Sequence, residues 1–174
     1  MTSPSTPPSH APTVPGTPPS LYEWLGGEAV LARLSERFYD KVLQDELLRP
    51  LFEHMAAEHP GHVAMFLGEV LGGPRKYTDE RGGHSTMIRH HLGKSITEQQ
   101  RQRWVQLLLG TADDLGLPSD PEFRSAFVAY LEWGSRLAVI NSALPADADV
   151  DAGAPMPAWG WGVPGGPYIP ETKP

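Results

Sequence analysis

Apolar side chains recur every three or four positions through residues 20–144, and no stretch of useful length alternates with a period of two. This spacing places the apolar residues on one side of each helix and argues against a sheet. A typical run predicts a helix over about residues 28–43: Val30, Leu31, Leu34, Phe38 and Val42. The pattern predicts one all-α domain spanning residues 20–144.

Capping residues, proline and glycine divide this domain into helices of unequal length. Two capping boxes, Ser20-Leu21-Tyr22-Glu23 and Thr97-Glu98-Gln99-Gln100, mark the start of a short first helix and of a long one reaching about residue 115. Further elements are expected as a turn over 46–52, a helix beginning at Pro60, a short helix over 84–92 and a last helix over 121–142. Residues 74–83 have no periodicity and are expected to form a loop.

The two ends of the chain differ from the domain in composition. Residues 1–19 hold seven of the 19 prolines and few large apolar residues, so they are expected to be disordered. Residues 145–174 hold seven more prolines, together with Trp159-Gly160-Trp161. Three interpretations remain open for this C-terminal tail. It could lie on an apolar groove of its own domain, dock onto another chain, or be unstructured.

Composition excludes several classes of function. The absence of cysteine removes disulfides, thiolate catalysis, iron–sulfur clusters and cysteine zinc sites. A net charge of −7 without a dense Lys/Arg run makes nucleic acid an unexpected partner. Zincin and phosphate-loop motifs do not occur. No apolar run approaches the roughly 20 residues of a membrane span, and no secretory leader is recognisable, so a cytoplasmic protein without membrane partners is expected.

One histidine and one tryptophan stand on either side of a helix break. His91 closes the short helix, and Trp104 lies one to two turns into the long one. A neutral imidazole facing an apolar cleft suits a haem iron as its axial ligand. A tryptophan on the next helix can wall that cleft and offer one N–H donor.

Motifs in a fixed order extend this pattern over the whole domain. From the N-terminus they are Gly26-Gly27, Arg37-Phe38-Tyr39, Leu48-Arg49-Pro50-Leu51-Phe52, Gly72-Gly73-Pro74-Arg75-Lys76-Tyr77, Gly83-His84 and Asn141-Ser142. His84 stands seven residues before His91, and Trp104 thirteen after it. With these motifs, residues 21–142 resemble a truncated haemoglobin of group II. The resemblance implies a two-over-two sandwich of helices enclosing haem b.

The resemblance also implies roles for individual residues. His91 corresponds to the proximal iron ligand. Its neighbour His90 is the rival, because adjacent helical residues point about 100° apart and cannot both face the iron. Tyr39 and Trp104 correspond to distal hydrogen-bond donors. Other residues implied at the distal side are Phe52, His59 and Val63. Because His59 precedes Pro60, its backbone is expected to be extended. Its side chain lies either near the bound ligand or at the pocket mouth or in solvent.

Further residues are expected around the haem itself. Phe66 lies beyond Val63, and Met87 shares the face of His91 because it precedes it by four residues. The two haem propionates are negatively charged, so cations, hydroxyls or imidazoles are expected to bind them. Candidates are Arg75, Lys76, Tyr77, Arg81, His84, Arg89, His90 and Lys94.

Two donors at the distal side predict slow release of O2, which suits redox chemistry on NO or peroxide better than oxygen delivery. CO and NO are further expected ligands. The chain shows no flavin or nicotinamide motif, so such chemistry implies a separate reductase. A gas-responsive module that signals through a partner on the C-terminal tail is the alternative. The assembly is expected to be a monomer or a homodimer.

Overall fold

The computed structural model describes residues 17–162, and the elements within this range are helices. There are eight of them: α1 (Leu21–Leu25), α2 (Gly27–Val42), α3 (Arg49–Phe52), α4 (His59–Val70), α5 (Lys76–Arg81), α6 (His84–His91), α7 (Glu98–Asp114) and α8 (Pro121–Ser142). The all-α prediction is confirmed. Disorder was expected over residues 1–19, of which residues 1–16 lie outside the described range. The last part of the C-terminal tail, residues 163–174, also lies outside it.

The caps expected from sequence are formed. Ser20 Oγ accepts a hydrogen bond from the Glu23 amide, and Thr97 Oγ1 accepts one from the Gln100 amide. Both bonds are 3.1 Å long. The backbone turns from α1 into α2 at Gly26, where φ is +110° and a Cβ would lie 2.6 Å from Val30 Cγ2. Only glycine fits this left-handed turn, which sets the angle at which α2 leaves the first helix.

Four long helices form a two-over-two sandwich. Helix α2 packs against α4 and against α7, and α7 packs against α8, so one pair of helices lies over the other. Phe38, Leu108, Phe123 and Phe127 are among the side chains fully buried between them. Burial of these faces is the main stabilising term, because each large apolar side chain contributes roughly 1.5–3 kcal/mol when removed from water. None of the described helices is long and apolar enough to cross a membrane.

The prediction of a loop over residues 74–83 is wrong for most of its length. Residues 76–81 form helix α5, and Tyr77 within it is buried. The Glu69 carboxylate accepts bonds from the Thr78 amide at 2.8 Å and from the Thr78 hydroxyl, which satisfies groups at the start of this short helix. Tertiary contacts therefore supply what the local sequence lacks.

A buried cation joins α7 to α8. Arg101 is 4% exposed, and its guanidinium contacts Glu98 at 2.7 Å, Glu132 at 3.2 Å and the Ser135 hydroxyl at 3.1 Å. This arginine lowers the pKa of Glu98 to about 2. Arg136 pairs with the same Glu132 at 3.0 Å, but its own side chain is 60% exposed.

We expect Arg101→Ala to lower the free energy of unfolding by about 1–3 kcal/mol, because packing and several charge-assisted hydrogen bonds are lost together. Arg136→Ala is the matched control and should change it by less than about 1 kcal/mol, as exposed pairs do. Denaturant unfolding at equal haem loading measures both. Equal losses in the two variants would contradict the importance of burial.

Candidate functional site

The distal side of the candidate site is built around Tyr39 of α2. Its side chain is 3% exposed and packs against Phe38 and Phe52, with ring centroids 4.9 and 5.4 Å away. Burial raises the pKa of the Tyr39 phenol well above its usual range, and the indole of Trp104 acts in the opposite direction. Tyr39 therefore keeps its proton at neutral pH and can act as a donor.

His59 contacts Tyr39 directly. Its Nε2 lies 3.1 Å from the Tyr39 hydroxyl, and the two rings meet edge to face at 4.9 Å. Burial lowers the pKa of His59 to about 4, with a smaller effect from His90, His62 and His91, so the ring is neutral at pH 7. The backbone at His59 was expected to be extended. Instead, His59 is the first residue of α4 and Pro60 the second.

Trp104 belongs to the same cluster of aromatic side chains. It is half-buried on α7 and meets Phe38 edge to face at 5.2 Å. Phe38 therefore lies between Tyr39 and Trp104. The sequence placed Phe38 on the apolar face of α2 but did not assign it this position in the site. The Phe52 ring lies 6.0 Å from that of His59, so Tyr39, Phe52 and His59 contact one another in pairs. Val63 is half-buried against the core on α4.

The proximal side is defined by His91 at the end of α6. His91 Nδ1 lies 2.8 Å from the carbonyl oxygen of Met87, one turn earlier. A carbonyl can only accept, so Nδ1 carries the hydrogen and Nε2 carries the lone pair. Burial lowers the pKa of His91, which keeps the ring neutral, as a metal ligand must be. From the sequence, the side chain of Met87 was expected on the same face as His91. In the structure, it is the backbone carbonyl of Met87 that contacts His91.

The candidates for the haem edge occupy different environments. His90 and Lys94 are exposed, as are Arg75, Arg81 and Arg89, whereas Met87 is half-buried and packs against the core. Tyr77 is 1% exposed, and its ring meets that of Phe66 edge to face at 5.1 Å. Lys76 pairs with Glu28 at 2.6 Å. His84 Nδ1 lies 2.9 Å from the Pro155 carbonyl, a contact with the C-terminal tail that the sequence did not predict.

Comparison with known proteins identifies this arrangement. The model of the bacterial-like globin family matches residues 20–132. The chain belongs to this family. Truncated haemoglobin YjbI of group 2 from Bacillus subtilis is 33% identical over 110 residues, which cover 63% of this chain and 81% of that protein. A group 1 truncated haemoglobin from Synechocystis is 29% identical over 104 residues, covering 58% and 82%.

Solved structures place it in group II. The group II truncated haemoglobin from Bacillus anthracis superimposes with a TM-score of 0.65 and 28% identity, covering 74% of this chain and 95% of that one. The truncated haemoglobin from Bacillus subtilis, described as oxygen-avid, gives 0.62 and 32%, covering 70% and 99%. The prediction of a group II truncated haemoglobin with a two-over-two fold is confirmed.

Haem b is the cofactor of this globin family, and the residues of this chain fit it. His91 presents one neutral nitrogen whose orientation is set by a second hydrogen bond, as iron-ligating histidines require. The pocket walls are aromatic, and the polar atoms of Tyr39 and His59 lie together on the distal side. Among residues 17–162, no group of three or more acidic or histidine side chains converges as a bare metal site.

Proposed function

We propose that this truncated haemoglobin binds O2 with slow release and uses it to remove NO. Binding of small gases at haem follows from the family, whereas the ligand, the release rate and the reaction are the proposal. When bound, haem would supply an iron that takes O2, NO or CO, and His91 would hold that iron. The observation that carries the proposal is the buried, protonated Tyr39 hydroxyl in contact with His59.

Tyr39 acts as the principal donor to a ligand in the pocket. Its hydroxyl has a single hydrogen, which is given either to His59 or to the ligand. When His59 carries its hydrogen on Nε2, it donates to the Tyr39 oxygen, and the phenol hydrogen is then available to the ligand. Two linked hydrogen bonds polarise each other, so His59 strengthens the bond that Tyr39 donates. Aromatic side chains, Phe38 and Phe52, pack against Tyr39 on two sides.

Slow release favours reaction on the bound gas over delivery. One NO and one O2 combine with one electron to give nitrate. Residues 17–162 offer no site for a flavin or a nicotinamide that we recognise, so we assign the electron to a separate reductase. Peroxide reduction is a related use of the same pocket, and it would consume two electrons and two protons for each peroxide. The oxygen-avid relative from Bacillus subtilis supports the tight binding of O2.

Absorption and stopped-flow measurements test the proposal. The purified protein should show a Soret band, and O2 released from the ferrous form should be followed by displacement with CO. Mixing the O2-loaded protein with NO should give one nitrate per haem. A protein with haem but rapid O2 release, or without nitrate, would leave only the family-level function. The cytoplasmic location and the state of assembly remain predictions.

We expect His59→Leu to accelerate O2 dissociation about fivefold, because one neutral hydrogen bond contributes about 1 kcal/mol. His54→Leu is the control, since the His54 side chain is 93% exposed and should leave the rate unchanged. Stopped-flow dissociation measures both. Slower release in the His59 variant would show that His59 competes with the ligand for the Tyr39 hydrogen rather than supporting it.

A further inference from the structure

The helix that carries the proximal histidine is weakly held by its own sequence. Helix α6 has eight residues, all of them described, and of these only Ser85 is fully buried. Gly83 stands at its N-cap and has no side chain with which to cap it. Isolated helices of this length are unstable in water, so the position of α6 depends on tertiary contacts, which include its packing on α8 and the contacts made at its ends.

The end of α6 that carries His91 is tied to the end of α8. Gly93 donates its amide to the Leu144 carbonyl at 2.9 Å, and Ser95 donates to the Ser142 carbonyl at 2.9 Å. The Ser142 hydroxyl accepts from the Ile96 amide at 2.9 Å. The backbone beyond α8 then passes so near Gly93 that a Cβ there would lie 3.0 Å from that of Ala146.

The other end of α6 is tied to the C-terminal tail. His84 is the first residue of the helix, and its Nδ1 donates to the Pro155 carbonyl at 2.9 Å. Met156, the next residue of the tail, packs against the hydrophobic core. Residues 142–156 therefore bracket α6 at both ends.

The tail is itself anchored on three other helices by two tryptophans. The Trp159 amide donates to the Val70 carbonyl at 2.8 Å, and its ring lies 5.6 Å from those of Tyr130 and Trp133. Trp161 Nε1 donates to the Pro19 carbonyl at 2.7 Å, and its ring meets Trp24 edge to face at 5.9 Å. Such aromatic contacts fix the tail along its length.

We propose that residues 145–162, the C-terminal strap, are a positioning element for the proximal histidine: by bracketing α6 against α8, the strap holds His91 in place and slows the loss of haem. The strap lies beyond the residues that the globin family model matches. This inference rests on haem binding through His91, the proposed function of that residue. It also accounts for the tryptophans, because the strap occupies an apolar surface of its own domain.

The test undocks the strap in the full-length chain. We expect the double variant Trp159→Ala/Trp161→Ala to lose protection against hydrogen exchange in residues 84–91 about tenfold, with and without haem, while α2 and α7 keep theirs. Haem transfer to excess apomyoglobin should be about tenfold faster. Ile140→Ala is the control, because Ile140 is 61% exposed on α8 and should change neither quantity. A second variant ends the chain after Leu144, and its control ends it after Gly162.

The outcomes separate this inference from the haem assignment. Unchanged exchange in residues 84–91 after undocking would overturn the positioning role. A change in oligomeric state without a change in that exchange would also overturn it, and would make the strap an association element. A chain that takes up no haem would refute the haem assignment, yet exchange in the haem-free protein would still report whether the strap holds α6.

Discussion

Replacing His91 with alanine should abolish the Soret band of the purified protein. His91 has its free lone pair on Nε2 because Nδ1 donates to the Met87 carbonyl at 2.8 Å, so Nε2 is the nitrogen available to an iron. Loss of an outer partner of such a ligand typically costs 10–100-fold in affinity, and loss of the ligand itself should cost more. The measurement is haem content per chain after reconstitution, read from the absorption spectrum against the protein concentration.

His90→Ala provides the matched control, since it removes an adjacent imidazole that is exposed at the surface. Its Soret band should be retained. His91→Gly offers a further check, because free imidazole can enter the space left by the side chain and restore the band. If His90→Ala lost the band while His91→Ala kept it, the assignment of the proximal ligand would be reversed.

Helix periodicity and caps were sufficient to predict the long helices. The ends of α2, α7 and α8 agree with the expectation to within one or two residues, because the apolar faces and capping residues act locally. Helix α5 escaped prediction for the opposite reason. Its six residues form a helix because Tyr77 is buried and Glu69, on another helix, satisfies the Thr78 amide. Such contacts are not visible in the sequence around residues 76–81.

The distal contact was also beyond local reasoning. A proline disfavours the helical conformation of the residue that precedes it, and this predicted an extended backbone at His59. The structure instead starts α4 at His59 and directs its ring to Tyr39, which lies 20 residues earlier in the chain. The strap shows the same limit. Composition marked the tail as unusual, but its anchors on Val70, Tyr130 and Trp24 depend on the folded arrangement of three helices.

The second large effect is expected from Tyr39→Phe, which should accelerate O2 dissociation by about 10–100-fold. The substitution keeps the aromatic packing against Phe38 and Phe52 and removes only the hydroxyl. A hydrogen bond to an acceptor that carries negative charge contributes roughly 1.5–3 kcal/mol, and the loss of a bond of that strength sets this range. Tyr22→Phe is the control, because Tyr22 is half-buried on α1 and no role in the site is assigned to it.

Combining this variant with His59→Leu decides how the two residues act. Because His59 Nε2 contacts the Tyr39 hydroxyl at 3.1 Å, its contribution should pass through that hydroxyl. In the Tyr39→Phe background, His59→Leu should then change the dissociation rate by less than about twofold, whereas it should change it about fivefold in the native background. Equal effects in both backgrounds would show that His59 reaches the ligand independently, and the distal side would then hold two separate donors instead of a linked pair.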